Sequence, residues 1–120
     1  MTVKLVIRIT HGTDDVERAA VGLTVAATAI ASGIATEVWL MNEAVGLGLP
    51  GTVESMTVEH APPIIDLWKQ VVDGGTVYAC TQCMMRRSVS AEDLRDGVQQ
   101  AGAPMLVASV AEEGAKDLSF

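Results

Sequence analysis

The chain has 120 residues, 49% of them hydrophobic and 19% charged, with 15 acidic side chains against 8 basic ones for a net charge of −7. A chain this long buries roughly two-thirds of the surface its unfolded form exposes, so it holds one core as a single domain without covalent staples. Its two cysteines are too few for a disulfide framework, and the acidic balance excludes direct nucleic-acid binding, which needs clustered Lys and Arg to displace counterions.

Strand and helix signals alternate along the sequence, the pattern of an α/β domain built on a mostly parallel sheet. Val3 to Thr10 forms the first expected strand; Lys4 and Arg8 within it argue against a secretory h-region. The turn His11-Gly12-Thr13-Asp14 follows, and Asp14 with Glu17 has capping-box spacing for a helix from Asp15 to about Ser32. Ala19 to Thr36 is uncharged, yet it is built of Ala, Thr, Ser and Gly and is cut at Ser32-Gly33, so no membrane span is expected. Gly33 suits the left-handed position after the helix, and Thr36 to Met41 reads as the second strand. A soluble, cytoplasmic protein with reduced thiols is the expectation.

Asn42 to Ala61 lacks a clear period and carries Gly46, Gly48, Pro50 and Gly51, which reads as a functional loop or lid. Pro62 and Pro63 open a helix whose apolar face is Ile64, Ile65, Trp68, Val71 and Val72, ended by Gly74-Gly75. Thr76 to Cys80 is the third strand. Ser90 to Asp93 has capping-box spacing for a short helix, and Gly97 to Gln100 a fourth strand. Pro104 and Gly114 bracket a helix at 104 to 113, with Glu112 and Glu113 discordant at its negative end, and Lys116 to Phe120 closes as a fifth strand.

Both cysteines lie in Cys80-Thr81-Gln82-Cys83, directly after the third strand and before Met84-Met85-Arg86-Arg87. Ligands bind a parallel sheet beyond the carboxyl ends of its strands, where His11, Asn42 and Cys80 are expected to emerge. A helical turn from Thr81, with Arg86 and Arg87, would stabilise a thiolate and set an alkylation midpoint below about 8.5. Three chemistries compete with two inert buried thiols: thiol–disulfide exchange, a zinc site that would have to recruit His11 and His60, and a persulfide carrier. Met84-Met85 beside the thiols also invites a copper(I) reading, against the commoner role of methionines at packing surfaces. His11 is a candidate base or hydrogen-bond donor, weighed against an idle turn histidine; Glu43 is a candidate proton acceptor and His60 a solvated loop residue.

The order strand, turn with Asp14-Asp15, Ala-rich helix ending at Gly33, strand Glu37-Val38-Trp39-Leu40, glycine-containing loop, helix, strand, Cys80, Arg86-Arg87 resembles the DsrE/DsrF-like (YchN-like) family over nearly the whole chain. The resemblance implies a three-layer α/β/α sandwich on a five-stranded parallel sheet, assembled as a homotrimer or hexamer. It also implies relay of sulfane sulfur between donor and acceptor proteins; no cofactor and no resident metal are expected. Cys80 matches members with a single cysteine at the end of the third strand and Cys83 those with Cys, a short spacer and Arg-Gly, so the sulfur-accepting position is Cys80 first and Cys83 second. Ser88 stands where the family often has Gly, and relatives without the cysteine serve as partner subunits. A non-catalytic oligomeric binding or regulatory module and a Cys-x-x-Cys redox protein are the alternatives.

Overall fold

The computed structural model describes residues 2–120. Five strands, β1 (Lys4–Ile9), β2 (Ala35–Leu40), β3 (Thr76–Cys80), β4 (Val98–Ala101) and β5 (Ala115–Ser119), form one sheet in the order β4-β3-β2-β1-β5. Every pairing is parallel, with Ile7 level with Val38 and Leu118, and Val38 level with Val77. The helices are α1 (Val16–Ala31), α2 (Thr52–Ser55), α3 (Ile64–Gly74), α4 (Thr81–Arg86) and α5 (Ala103–Val110).

The chain walks outward from β1 to β4, then returns across the sheet through α5 to place β5 on the far side of β1. Right-handed crossovers that run in opposite directions put their helices on opposite faces, which makes the domain three layers. On one face Ile7, Ile9, Val38, Leu40 and Val77 pack with Leu23 and Ala26 of α1 and Leu67, Trp68 and Val71 of α3. On the other, Val6, Trp39, Tyr78 and Ala101 pack with Leu106 and Val110 of α5. The expected α3 face is present, but Leu67 is buried where Ile65 and Val72 are only half-buried.

Helix α1 is capped by Asp15, whose carboxylate accepts from the Arg18 N–H. Asp14 instead accepts from the Gly12 N–H at 2.8 Å, two residues before it, a contact that draws its side chain back into the turn and away from the helix. Gly33 takes the left-handed conformation expected after the helix, at φ +80°. Glu112 and Glu113 fall just beyond α5, which ends at Val110 and not at 113 as expected, and Glu112 pairs there with Lys4 Nζ at 2.6 Å.

The segment from Asn42 to Ala61 is not an open lid. Asn42–Gly48 winds into a 3₁₀ turn that buries Ala44, Val45 and Leu47 completely, and α2 buries Val53. Its apolar residues lack a long period because two short turns, rather than one long helix, deliver them to the core. The turn before α1 closes against this segment: a Cβ on Gly12 would stand 2.6 Å from the Glu43 carbonyl oxygen, so only glycine fits there.

Candidate functional site

Strand β3 delivers Cys80 to the carboxyl edge of the sheet, where it is the residue before α4. Alternation along β3 turns Tyr78 and Cys80 toward the α5 side, while Val77 and Ala79 face the opposite layer. Helix α4 lasts only six residues before Ser88 takes a left-handed backbone, φ +54°. Its inner side buries Cys83 and Met84 with Val45 of the 3₁₀ turn and Ala79 of β3.

Cys80 is half-buried and Cys83 buried, and both thiols are free. Together they line a cavity of about 260 Å³ between the end of the sheet, α4 and the start of α5. Trp39, Met41 and Leu106 supply apolar wall, and Asn42, Gln82 and Arg86 are its other polar or charged side chains. Burial pushes the Cys80 thiol up from its ordinary value, and the adjacent Cys83 thiol pushes the same way; the Gln82 and Cys83 N–H groups pull it down by less. The activated thiolate expected from the sequence is therefore corrected. Desolvation outweighs two amides, and a helix of six residues offers a weak dipole.

The two arginines part company. Arg87 turns back along α4, donating to the Cys83 carbonyl at 3.1 Å and to Glu43 Oε1 at 2.8 Å, so it ties α4 to the 3₁₀ turn and not to the thiols. Glu43, a candidate proton acceptor from the sequence, is the ion-pair partner of Arg87. Arg86 lines the cavity and has no ion pair among the described residues.

His11 follows β1, two strands from β3, with β2 between them. Its Nδ1 lies 2.8 Å from Asp14 Oδ2 and its Nε2 3.4 Å from Arg18, and it does not line the Cys80 cavity. Asp14 is held below the usual carboxylate range, first by the Gly12 N–H and then by His11. His60 stands in an exposed turn beside Glu59. Among the described residues no group of three His, Cys, Asp or Glu side chains is gathered to hold a metal ion. A larger cleft of about 510 Å³ lies along Arg8, Thr10 and Arg18, but it holds no thiol, and its arginines already face Asp117 and Asp15.

Sequence reasoning singled out the thiols and Arg86 but missed Trp39 and Leu106 as cavity walls. Trp39 is almost fully buried, and its position was legible only once β2 was known to lie beside β3. Its Nε1 donates to Glu37 Oε1 at 2.6 Å, Ser109 of α5 donates to the same oxygen at 2.7 Å, and Lys4 donates to Ser109 at 2.7 Å. This network fastens α5, and with it the Leu106 wall, against the sheet.

A five-stranded parallel α/β/α domain carrying a thiol pair in a pocket at the carboxyl end of its third strand defines a compact class of protein. The chain belongs to the DsrE/DsrF-like family, whose model matches residues 3–119. It is 33% identical over 86 residues to the uncharacterized protein MK0008 of Methanopyrus kandleri, covering 71% of this chain and 68% of that one. The fold is similar to that of the YchN protein from E. coli, with a TM-score of 0.77 at 21% identity and full coverage of both chains. It is also similar to MTH1491 from Methanobacterium thermoautotrophicum, described as of unknown function, with a TM-score of 0.76 at 16% identity over 98% of this chain and 99% of that one.

Proposed function

We propose that this protein is an intracellular sulfur carrier, which holds a persulfide on Cys80 and uses Cys83 as the second thiol. The observation that carries the reading is that both cysteines line one small, largely apolar cavity at the carboxyl edge of the sheet. Sulfane sulfur is soft and poorly hydrated, so an apolar pocket accommodates it, while the raised thiol keeps the unloaded site protonated and slow toward adventitious electrophiles.

In loading, the Cys80 thiolate attacks the terminal sulfur of a donor persulfide. A bond forms between Cys80 Sγ and that sulfur, the donor's own S–S bond breaks, and the electron pair leaves with the donor thiolate. An acceptor thiolate reverses the sequence, or Cys83 attacks Cys80 Sγ, forms a disulfide and expels hydrosulfide. Arg87, through Glu43 and the Cys83 carbonyl, is a positioning residue for α4. Cytoplasmic location and assembly as a homotrimer or hexamer belong to the same proposal. Exposed Met85, Met105 and Val107, at 71%, 49% and 66%, give the α4 and α5 surfaces an apolar character suited to subunit contacts.

The test is intact mass without reductant after exposure to a small persulfide donor, for the native chain, Cys80→Ser and Cys83→Ser. Gain of one sulfur that vanishes with Cys80→Ser is expected. The closeness of the two thiols favours one competing reading, thiol–disulfide exchange, which would show as loss of two hydrogens instead. An unchanged mass would leave a binding module of this fold as the better account.

A further inference from the structure

Beyond the carrier role, the pocket has a polarity that bears on the identity of the donor. Of the five arginines, Arg8, Arg18, Arg87 and Arg95 each face a carboxylate: Asp117, Asp15, Glu43 and Glu54. Arg86 alone has no such partner among the described residues, and it is the one charged side chain lining the Cys80 cavity. In a chain of net charge −7, an unpaired guanidinium beside a nucleophile is the local exception to a field that repels anions.

The cavity's size narrows the ligand. About 260 Å³ lies below the roughly 300–1,000 Å³ of sites for drug-sized ligands, so a molecule of amino-acid size fits it. Its lining combines the apolar side chains of Trp39, Met41 and Leu106 with the polar or charged ones of Asn42, Gln82 and Arg86. Asn42 holds a left-handed backbone, φ +52°, a conformation that asparagine tolerates better than most side chains.

We propose that Arg86 makes this pocket selective for a small persulfide bearing a carboxylate as the sulfur source of Cys80. The inference rests on the carrier reading above and adds the donor's class. The donor's carboxylate accepts from the Arg86 guanidinium, its amide or amine meets Asn42 and Gln82, and its sulfane sulfur reaches Cys80 within the same lining. One S–S bond is exchanged for another: the terminal sulfur joins Cys80 Sγ, the donor leaves as its thiolate, and the proton lost by Cys80 passes through solvent to that thiolate. No external oxidant or reductant enters the balance.

The experiment compares N-acetylcysteine persulfide with its carboxamide, nearly equal in size and different in charge, by the rate of sulfur gain at Cys80 at low salt. The native protein is expected to load from the acid about fivefold faster, the upper end of what an exposed ion pair supplies. Arg86→Gln should abolish that preference and Arg86→Lys retain part of it. Equal rates in the native protein, or a preference that survives Arg86→Gln, would overturn the selection by Arg86 while the carrier reading stands. A second measurement does not depend on transfer: the S-methyl analogues of the same acid and amide are titrated into Cys80→Ser while the Trp39 indole N–H resonance is followed. Tighter binding of the acid, lost with Arg86→Gln, supports the selective pocket even if loading fails and the carrier reading falls with it; equal binding of acid and amide refutes the selectivity.

Discussion

Glu37 is the residue on which the attachment of α5 depends, and replacing it by alanine tests that claim. One carboxylate oxygen accepts from the Trp39 indole at 2.6 Å and from the Ser109 hydroxyl at 2.7 Å, and the other stands 3.5 Å from Lys4. Glu37→Ala leaves the nearly fully buried Trp39 N–H without an acceptor, which costs about 1–3 kcal/mol, and removes the Ser109 bond, about 1 kcal/mol. Lys4 keeps Glu112 at 2.6 Å, so the loss of its long contact adds little. The expected destabilisation is about 2–4 kcal/mol, read as a fall of roughly 1–2 M in the urea midpoint with an unchanged slope. Far-UV circular dichroism is the signal of choice, because the substitution alters the tryptophan environment directly. Glu37→Gln keeps an acceptor for both donors and should cost under about 1 kcal/mol. The loosened α5 wall should also admit water to Cys80 and speed its alkylation at neutral pH. A loss below about 0.5 kcal/mol, the range of an ordinary surface substitution, would refute the view that this carboxylate holds α5.

The pH dependence of the thiol gives a second expectation: a Cys80 alkylation midpoint above that of an unfolded control peptide, since burial favours the neutral form. The sign for stability follows, because a group whose pKa is raised on folding contributes fully below its unfolded value and loses that contribution as pH rises through the folded value. Unfolding measured between pH 7 and 11 should therefore lose stability less steeply in Cys80→Ala than in the native chain. Gly12→Ala forces a Cβ against the Glu43 carbonyl and should cost about 1–3 kcal/mol by chemical denaturation. Ser88→Gly relieves a left-handed backbone and should stabilise by about 0.5–1 kcal/mol, seen as a higher thermal midpoint.

The elements that local chemistry determines were legible in the sequence, and those that depend on strand order were not. Gly33 after α1 and the Ser90–Asp93 capping box follow from backbone conformation and spacing alone, and both are present. The cap of α1 lies one residue from the expected position because Asp14 and Asp15 are both competent, and the Gly12 N–H captures the first. The 42–61 segment reads as a functional loop or lid because its short turns give no period, although they bury Val45 and Leu47 as fully as any strand and bring Asn42 to the cavity. The site was half legible: two thiols and an adjacent arginine share one short sequence, whereas Trp39 and Leu106 join them only through the order β3-β2 and the crossover that carries α5 beneath the sheet.

That division bears on how the thiol works. From sequence, Cys80 at the start of a helix followed by two arginines looks like a nucleophile activated by nearby positive charge. In the fold, Arg87 is occupied by Glu43, and α4 is too short for its dipole to offset the loss of water around the sulfur. A raised thiol loads slowly with the wrong partner, because only its small thiolate fraction attacks. A donor drawn into the cavity by Arg86 would raise the local concentration of the right sulfur without making Cys80 generally reactive. Burial and selectivity thus act together, and raising ionic strength should slow loading from an anionic donor while leaving the neutral carboxamide nearly unaffected.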